Sequence, residues 1–292
     1  MPSEKSQPFG RALCFFKKKC YFCSHNMEST LNTSQYRSLA LDITAKDVSY
    51  LIYGSDQAIE SGTITLDGTS GDYLKAIENA VYDNPFLLND YQRITISLHA
   101  RHFLIIPQEI EHLARKMMES SFTKIEGDIL TCHIADTSAS VACDVETGVE
   151  AFLRRTFPTS LILHHLAPLA TYCARAYGED TACMHVAIDN EEVHIVVIKH
   201  GKLLMANTYF HRNLEDAVYY VLNAWKTCSL DNRHDKLQLS GDNTLRTKLA
   251  EQLRQWIAYA MPEVLPAQAL KLGRDAINIP FNLLTLALYE NN

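Results

Sequence analysis

The sequence predicts an α/β fold built from two similar halves, each with a mixed β-sheet. Three strands, a helix, a fourth strand and a second helix follow one another in residues 38–120, and the same six elements recur in residues 184–257. The separation of the halves is nearly constant, at 147 positions (189 − 42) for the first strands and 143 (237 − 94) for the fourth strands. Six elements that match in type and order indicate a repeated unit, whose helix crosses back to add strands to the sheet.

The first copy shows strand periodicity followed by helical periodicity. Apolar and polar residues alternate over most of the stretch SLALDITAKDVSYLIYGSDQAIESGTITL, which predicts three strands joined by short turns. A helix is predicted in GDYLKAIENAVYDN, with Asp72 as the N-cap and Leu74, Ile77 and Val81 on its buried face. A fourth strand is predicted in RITISLHA, and a second helix in PQEIEHLARKMMES, with Pro107 in its first turn.

The second copy keeps this order. Three strands are predicted in MHVAID, VHIVVI and KLLMANTYF, and Asn213 begins a helix that continues through Val221 and Trp225. The fourth strand and the second helix are predicted in DKLQLSGD and NTLRTKLAEQLRQWI. Asp189 ends the first strand, in the place that Asp42 takes in the first copy. Either the two acids keep a shared function, or aspartate merely suits a strand-to-turn junction, where its side chain accepts nearby N–H groups.

Residues outside the two copies predict a small insertion and a closing helix. The insertion at 125–157 contains two strands around Ser138 and a helix from Val145 to Phe157. A last helix is expected behind Pro280.

Three segments follow from this organisation. We expect a disordered tail at 1–33, a first lobe at 34–157 that includes the insertion, and a second lobe at 158–292. Residues 1–26 are interpreted either as an unstructured tail or as translated upstream sequence with the true start at Met27.

Composition narrows the class of protein. Hydrophobic residues make up 47% and charged residues 21%, and no window reaches the roughly 18 apolar residues of a membrane span, so an integral membrane protein is not expected. The eight cysteines are scattered, which predicts reduced thiols in a cytoplasmic protein. The net charge is −7, and the basic residues of the first 26 positions leave the remainder more acidic. An acidic body argues against nucleic-acid binding.

Histidines that could form a metal site are assigned ordinary roles. If His99 and His102 lie in one strand, they point to opposite faces, and the neighbours His164 and His165 diverge for the same reason. All four are expected to be surface or hydrogen-bonded histidines, so no metal site is predicted in the two copies.

Cysteine and serine nucleophiles are also not predicted. Cys132 and Cys183 have a histidine nearby in sequence but lie in strand-like segments, where cysteine is expected as a small buried residue. Ser240 lacks the Gly-x-Ser-x-Gly context of a hydrolase. In the first 26 residues, Cys20, Cys23 and His25 offer at most half of a zinc site.

Two β-β-β-α-β-α units, an insertion in the first and a closing helix resemble the actin-like ATPase fold, a ribonuclease H-like superfamily that includes actin and sugar kinases. The chain looks similar to the bacterial branch of FtsA and the cytoplasmic assembly proteins of type IV pili and type II secretion, and to an uncharacterised bacterial family with a degenerate version of the fold. The resemblance covers about residues 34–292 and implies two lobes with mixed five-stranded sheets around a cleft.

Active members of the superfamily hold ATP in that cleft through an Asp-x-Gly turn in each first hairpin. The aspartate holds hydrated Mg²⁺, and the glycine lets backbone N–H groups approach phosphate. The resemblance implies that Thr44 and Glu191 stand in the two glycine places and that Asp242 replaces one glycine of a pair beside the nucleoside. The complete set of implied cleft positions is Asp42, Thr44, Asp189, Glu191, Gly241 and Asp242.

Loss of both turn glycines predicts a vestigial nucleotide site. A carboxylate about 4 Å from a phosphate oxygen is repelled by roughly 1 kcal/mol in water and by more in a partly dry cleft. We expect a non-catalytic cytoplasmic scaffold or protein-binding module without a cofactor, and the resemblance implies the 125–157 insertion as its partner surface.

Two alternatives stay open. One is an active Mg-ATP-dependent ATPase or kinase, with Asp42 and Asp189 around Mg²⁺ and Thr44 contacting phosphate. The other is a peripheral membrane assembly factor similar to the pilus proteins. The sequence identifies neither the protein partner nor the oligomeric state.

Overall fold

A computed structural model describes residues 37–54, 58–67, 72–178, 182–272 and 274–289. The predicted tail at 1–33, with Met27, lies outside these ranges. Within them, no helix combines the length and the apolar character that crossing a membrane requires.

The first half of the chain contains one large and one small sheet. Its elements are β1 (Ser38–Ile43), β2 (Asp47–Tyr53), β3 (Glu60–Thr65), α1 (Tyr73–Tyr82), a 3-10 helix (Pro85–Leu88), β4 (Arg93–Leu98), β5 (Phe103–Pro107), a 3-10 helix (Gln108–Leu113), α2 (Ala114–Ser121), β6 (Asp128–Ile134), β7 (Ala139–Val145), α3 (Val149–Thr156), β8 (Leu161–His164) and α4 (Leu166–Ala176). The large sheet has the order β3-β2-β1-β4-β8. Because β4 is parallel to β1 and β8 while β2 is antiparallel to both its neighbours, this five-stranded sheet is mixed, as predicted.

The second half repeats the strand order of the large sheet. Its elements are β9 (Ala182–Ile188), β10 (Glu192–Lys199), β11 (Lys202–Phe210), α5 (Leu214–Thr227), β12 (Lys236–Gly241), α6 (Asn243–Leu253), β13 (Tyr259–Pro262), 3-10 helices (Ala269–Leu272 and Arg274–Asn278) and α7 (Phe281–Ala287). The sheet has the order β11-β10-β9-β12-β13, with β12 parallel to β9 and β13. Both halves therefore have the same strand order and the same strand directions.

The sequence signals for the first helix of each half are confirmed. The Asp72 side chain accepts the Lys75 N–H at 3.1 Å, and the Asn213 side chain accepts the Asp216 N–H at 2.8 Å. These bonds satisfy N–H groups that a helix start otherwise leaves unpaired. Ile77 of α1 is fully buried against the large sheet cluster, as its spacing predicts.

The strand β5 differs from the prediction, which places a helix start at this point. The run FLIIP is too short for its periodicity to distinguish a strand from a buried helical turn. Pro107 ends β5 and is paired with Ala139 of β7. The small sheet has the order β5-β7-β6, so it includes a strand that the predicted insertion at 125–157 does not contain. In the same subdomain, Ala114 and Met118 of α2 pack with residues of β5 and β7.

The helix that corresponds to α6 is α3, although the sequence pairs α6 with the helix that follows Pro107. Helix α6 connects β12 to β13, the last strand of the second sheet, and α3 leads into β8, the last strand of the first sheet. The small subdomain is therefore inserted between β4 and α3.

The two halves exchange their last helices. The predicted second lobe at 158–292 begins before β8, but β8 is paired with β4 in the first sheet. Helix α4 then packs against β10 and β11 of the second sheet, while α7 packs against β1 and β2 of the first. Ala40, Ala167, Val196 and Leu284 belong to the resulting core cluster. The two lobes thus share this one core cluster, because each half places a helix on the sheet of the other, and each lobe has a further cluster of its own.

Candidate functional site

The hairpins β1–β2 and β9–β10 turn at equivalent points. In each turn the N–H of the residue after the first strand donates to the carbonyl of the first residue of the next strand: Thr44 to Asp47 at 2.9 Å, and Asp189 to Glu192 at 3.0 Å. The last ladder pairs before these turns are Ile43–Val48 and Ile188–Val193. The register therefore makes Asp189 the counterpart of Thr44, and not of Asp42.

The parallel neighbours of β1 and β9 give the same register. Asp42 is paired with Ser97 of β4, and Ala187 is paired with Ser240 of β12. Ala187 is thus the counterpart of Asp42, and the predicted correspondence of Asp42 with Asp189 is wrong by two residues. Since side chains alternate along a strand, a shift by two leaves every residue on its original face, and the hydrophobic pattern does not reveal it.

Asp42 is buried, with an exposed fraction of 2%, and both of its carboxylate oxygens are occupied. Oδ1 accepts hydrogen bonds from the Ser97 hydroxyl and from His99 Nε2, the latter at 3.2 Å, and Oδ2 accepts the Asn282 amide N–H of α7 at 2.6 Å. Burial alone would raise the pKa of Asp42, but the charge of His99 and these three hydrogen bonds together lower it below its ordinary value. Asp42 is therefore an ionised carboxylate held entirely by neighbouring side chains.

His99 lies between the two lobes. Its Nε2 contacts Asp42 of the first lobe, and its Nδ1 lies 3.6 Å from Glu192 Oε2 of the second. Burial by itself lowers the pKa of His99, but Asp42 and Glu192 together raise it to about 10. At neutral pH the ring is an imidazolium, and its single positive charge lies between one carboxylate of each lobe.

The hydroxyl of Thr44 stabilises its own turn. Its Oγ1 accepts the N–H groups of Lys46 and Asp47, each at 3.0 Å. The backbone amides of this turn are therefore directed at Thr44, the residue that the resemblance places at a phosphate-binding glycine.

The carboxylate of Asp189 stabilises the second turn, as the hydroxyl of Thr44 stabilises the first. Its Oδ1 accepts the N–H groups of Glu191 at 2.8 Å and Glu192 at 2.7 Å. Burial raises the pKa of Asp189, but His194 and the two backbone N–H groups outweigh that effect and lower it to about 2. This arrangement matches the plain interpretation of an aspartate that closes a turn.

Glu191 forms an ion pair across the cleft with Lys46 of the opposite hairpin. The exposed fractions of the two side chains are 57% and 66%. Since both side chains are solvated, the pair contributes about 0–1 kcal/mol.

Gly241 and Asp242, the implied nucleoside positions, have local structural roles. Gly241 has φ +95°, and an added Cβ would lie 2.0 Å from the carbonyl oxygen of Ile188 in β9. Only glycine is accommodated at this approach of β12 to β9. The Asp242 side chain caps α6 by accepting the N–H groups of Thr244 at 2.8 Å and Leu245 at 2.9 Å.

His165 and His194 lie beside His99 and form a cluster of histidine rings with it, in which only His99 and His165 are stacked. The His99 and His165 rings are nearly parallel, with centroids 4.0 Å apart, and the His165 and His194 centroids are 4.9 Å apart. Thr208 Oγ1 lies 3.0 Å from His165 Nε2 and 2.9 Å from His194 Nδ1. His165 is hydrogen-bonded through Nε2, as predicted, while its buried Nδ1 has no hydrogen-bond partner among the described residues. Sequence reasoning missed this cluster because its members come from separate elements of both lobes.

The other two histidines of the prediction have ordinary surroundings. His164 is buried, accepts the Leu166 N–H at Nδ1 and has Nε2 at 3.3 Å from the Ala100 carbonyl oxygen. Burial, with a smaller contribution from His99, lowers the pKa of His164 to about 3. His102 lies 3.6 Å from Asp144 of the small subdomain, so it does not converge with His99.

A second polar cluster joins β9, β12 and the end of α4 in the interior of the second lobe. His185 Nε2 lies 2.8 Å from Ser240 Oγ, and its Nδ1 lies 3.2 Å from Glu263 Oε2 and 2.9 Å from the Tyr177 hydroxyl. This order of serine, histidine and carboxylate occurs in acyl-transfer enzymes. Here Ser240 and His185 have exposed fractions of 1% and 0%, so no substrate reaches the serine.

Neither cysteine weighed as a nucleophile is activated. Burial raises the pKa of Cys132 to about 12 and that of Cys183 to about 12. Both thiols are therefore protonated at neutral pH, and the thiolate is the nucleophilic form.

Comparisons with known proteins identify the fold. A family model described as "Protein of unknown function (DUF3822)" matches residues 26–259. A Bacteroides thetaiotaomicron protein with an actin-like ATPase fold and unknown function is 20% identical, with a TM-score of 0.71 over 88% of this chain and 98% of that chain. The PilM-PilN type IV pilus biogenesis complex contains a chain that is 14% identical, with a TM-score of 0.56 over 87% of this chain and 98% of that chain. The comparison with curated proteins found no match.

These similarities confirm the predicted fold class and the predicted resemblance to a pilus assembly protein. The structure is an α/β protein with an actin-like ATPase fold. At such low identities the similarities show the fold alone.

Proposed function

The chain belongs to the DUF3822 family, and we propose that it is an actin-like-fold protein that does not hydrolyse ATP and acts as a protein-binding scaffold. The proposal has two parts, the loss of nucleotide chemistry and the gain of a partner. The first rests on the cleft residues, and the second on the fold and the small subdomain.

The observation that carries the first part is the position of His99 between Asp42 and Glu192. In an ATP-binding member of the fold, the aspartate of the first hairpin faces hydrated Mg²⁺. Here both oxygens of Asp42 are already hydrogen-bonded, and the positive charge beside them belongs to the protein. Binding Mg-ATP would require breaking this buried pair, and leaving one of its charges unpaired costs about 3–5 kcal/mol.

The second hairpin supports the same conclusion. The counterpart of Asp42 is Ala187, which offers no ligand for a hydrated metal ion. The counterpart of the phosphate-facing glycine is Asp189, whose carboxylate binds the turn amides that would otherwise face a phosphate. A carboxylate at this position repels a triphosphate by roughly 1 kcal/mol or more at about 4 Å.

Nucleotide titration tests this part. We expect that millimolar Mg-ATP neither raises the melting temperature of the full chain nor releases phosphate, because a ligand raises the melting temperature only when it binds the native state. A rise in melting temperature together with phosphate release would favour the active ATPase or kinase. In that case Asp42→Asn should abolish both signals, while Asp83→Asn, at an exposed carboxylate beyond α1, should leave them unchanged.

The second part concerns the partner. The PilM-PilN structure is that of a complex for pilus biogenesis. One of its chains is similar in fold to this protein over 87% of this chain, and this similarity motivates the proposed protein-binding role. The small sheet β5-β7-β6 with α2 is the surface that we assign to the partner, since it is inserted into the lobe without contributing to the cleft hairpins.

Crosslinking in cells, followed by fractionation, tests this surface. We expect specific crosslinks from photoreactive residues placed at the exposed positions Thr131 and Arg115 of the small subdomain, and none from the exposed Glu251 of α6. Crosslinked partners in the membrane fraction would favour the peripheral membrane assembly factor, and partners in the cytosol would favour the cytoplasmic scaffold. Equal crosslinking from all three positions would contradict the assignment of the surface.

A further inference from the structure

Three donor groups of the second lobe converge beside the turn between β9 and β10. Asp189 Oδ2 lies 3.9 Å from His194 Nε2, and Glu192 Oε2 lies 3.8 Å from the same nitrogen. The three donor atoms all lie within 4.8 Å of one another. We propose that Asp189, Glu192 and His194 form a binding site for a first-row divalent cation such as zinc.

The distances favour a shared ion over direct hydrogen bonds. Hydrogen bonds between these atoms would bring them to about 2.7–3.2 Å. Donor atoms at about 2.0–2.2 Å from one tetrahedral zinc ion lie about 3.3–3.6 Å apart. The observed separations of 3.8 and 3.9 Å are closer to the second arrangement and require only small side-chain adjustments.

The histidine is held in the orientation that a ligand needs. Thr208 Oγ1 contacts His194 Nδ1 at 2.9 Å, which leaves Nε2 directed toward the two carboxylates. Metal-binding histidines commonly have their second ring nitrogen fixed by such a partner. The Asp189 carboxylate is fixed in the same way, because its Oδ1 is bound to the turn and only Oδ2 faces the histidine.

A neighbouring group of donors, formed by His99, His165 and Glu192, is less suitable. Its members also lie within 4.8 Å of one another. However, the His99 and His165 rings are stacked with an angle of 13° between their planes. Since a metal ion lies in the plane of the imidazole that binds it, two stacked rings cannot direct their lone pairs at one ion.

The ligand types indicate the class of metal. One imidazole and two carboxylates are hard-to-borderline donors, which suit Zn²⁺, Mn²⁺ or Fe²⁺ and leave positions open for water or a ligand. Mg²⁺ prefers oxygen ligands, so the histidine argues against a remnant of the Mg-ATP site. The site goes beyond the proposed function, since it would exist whether or not a partner binds the small subdomain. It also departs from the sequence prediction that the two copies hold no metal.

Zinc titration of the full chain tests the proposal. Cys20 and Cys23 are first replaced by serine, so that the cysteines near the start of the chain do not bind the added zinc. We expect one zinc ion per chain by calorimetry and by metal analysis after dialysis. Asp189→Asn keeps the turn acceptor Oδ1 and removes only the facing oxygen, and His194→Gln removes the imidazole. Each substitution should raise the zinc dissociation constant by more than about 10-fold. Loss of a residue that only hydrogen-bonds to a metal ligand already costs about 10-fold in affinity, and loss of a ligand should cost more.

The matched control is His234→Gln, at an exposed histidine beside Asp231, which should leave zinc binding unchanged. Circular dichroism of each variant checks that the fold is retained. Absence of zinc binding in the serine background would overturn the proposal. Unchanged binding in folded Asp189→Asn and His194→Gln would overturn it as well, because the zinc would then be adventitious. Failure of the zinc experiment leaves the nucleotide and crosslinking outcomes unaffected.

Discussion

The first hairpins of the two lobes share a turn geometry but differ in where the acid lies. In the first lobe, Asp42 lies inside the strand and is buried against His99, while the turn is closed by the hydroxyl of Thr44. In the second lobe, the strand position is Ala187 and the acid is Asp189, in the turn itself. Two aspartates that look equivalent in the sequence therefore have different roles, one in a buried ion pair and one in a solvated turn.

In both lobes, groups of the protein itself contact the acids of the hairpins. The first lobe supplies a buried acid together with its cation, and the second lobe supplies acids that bind backbone amides or the lysine opposite. Mg-ATP would have to displace these contacts, which agrees with the proposed loss of ATP hydrolysis.

The largest expected effect comes from removing the buried acid. Asp42→Ala should lower the free energy of unfolding by about 3–5 kcal/mol, because it leaves the His99 charge buried without its main partner. Asp189→Ala should cost only about 1 kcal/mol, the usual contribution of a hydrogen-bonded turn. Urea unfolding of both variants measures the difference. If the two substitutions cost the same, the two acids are equivalent after all.

Gly241→Ala should have the next largest effect. The new Cβ would lie 2.0 Å from the Ile188 carbonyl oxygen at φ +95°, so the strands β9 and β12 must separate. We expect a loss of about 2–4 kcal/mol from steric overlap and backbone strain. Gly178→Ala is the matched control, since a Cβ there meets no atom of the described residues within 4 Å, and it should change stability by less than about 0.5 kcal/mol. Equal losses in thermal unfolding would refute the structural role of Gly241.

A substitution that introduces the turn residue of the first lobe into the second tests the register that aligns Thr44 with Asp189. Asp189→Thr places in the second turn the residue that closes the first, so its hydroxyl should accept the same two N–H groups. Its free energy of unfolding should stay within about 0.5 kcal/mol of the original protein, whereas Asp189→Ala loses about 1 kcal/mol. A cost for Asp189→Thr as large as that for Asp189→Ala would contradict the equivalence of Thr44 and Asp189.

The smallest effect is expected at the ion pair between the hairpin tips. Lys46→Ala should lower the free energy of unfolding by no more than about 1 kcal/mol, because both partners are solvated. The loss should diminish in high salt, which screens exposed charges. Chemical unfolding at low and high ionic strength checks this. A large loss that persists in high salt would mean that the lobes are joined mainly at their tips and not by the shared core.

The fold was predictable because its signals are local and repeated. The N-caps Asp72 and Asn213, the alternation of the strands and the order of elements all depend on near neighbours in the sequence. The strand β5 was missed because five apolar residues show no periodicity that separates a strand from a helix. The exchange of α4 and α7 was missed because nothing local states on which sheet a helix will pack.

The hairpins that carry the implied positions were predictable, but the contacts of their side chains were not. The implied positions Asp42, Thr44, Asp189 and Glu191 do lie on the two hairpins that face the cleft. His99, Glu192 and His194 were not singled out as a group, because their contacts join residues that are far apart in the chain. The sequence offered one signal for this group. His99 directly follows β4, the fourth strand of the first copy, and Glu192 and His194 follow the turn that carries Asp189.

The sequence by itself determined the two-lobed α/β architecture, since strand and helix periodicities are written in consecutive residues. It also determined that neither Asp42 nor Asp189 begins an Asp-x-Gly turn. Tertiary structure alone decided the register that aligns Asp189 with Thr44, because a shift by two residues preserves the alternation of faces along a strand. It likewise decided that the cation beside Asp42 is a histidine, since side chains from distant strands meet only when the two sheets share one core.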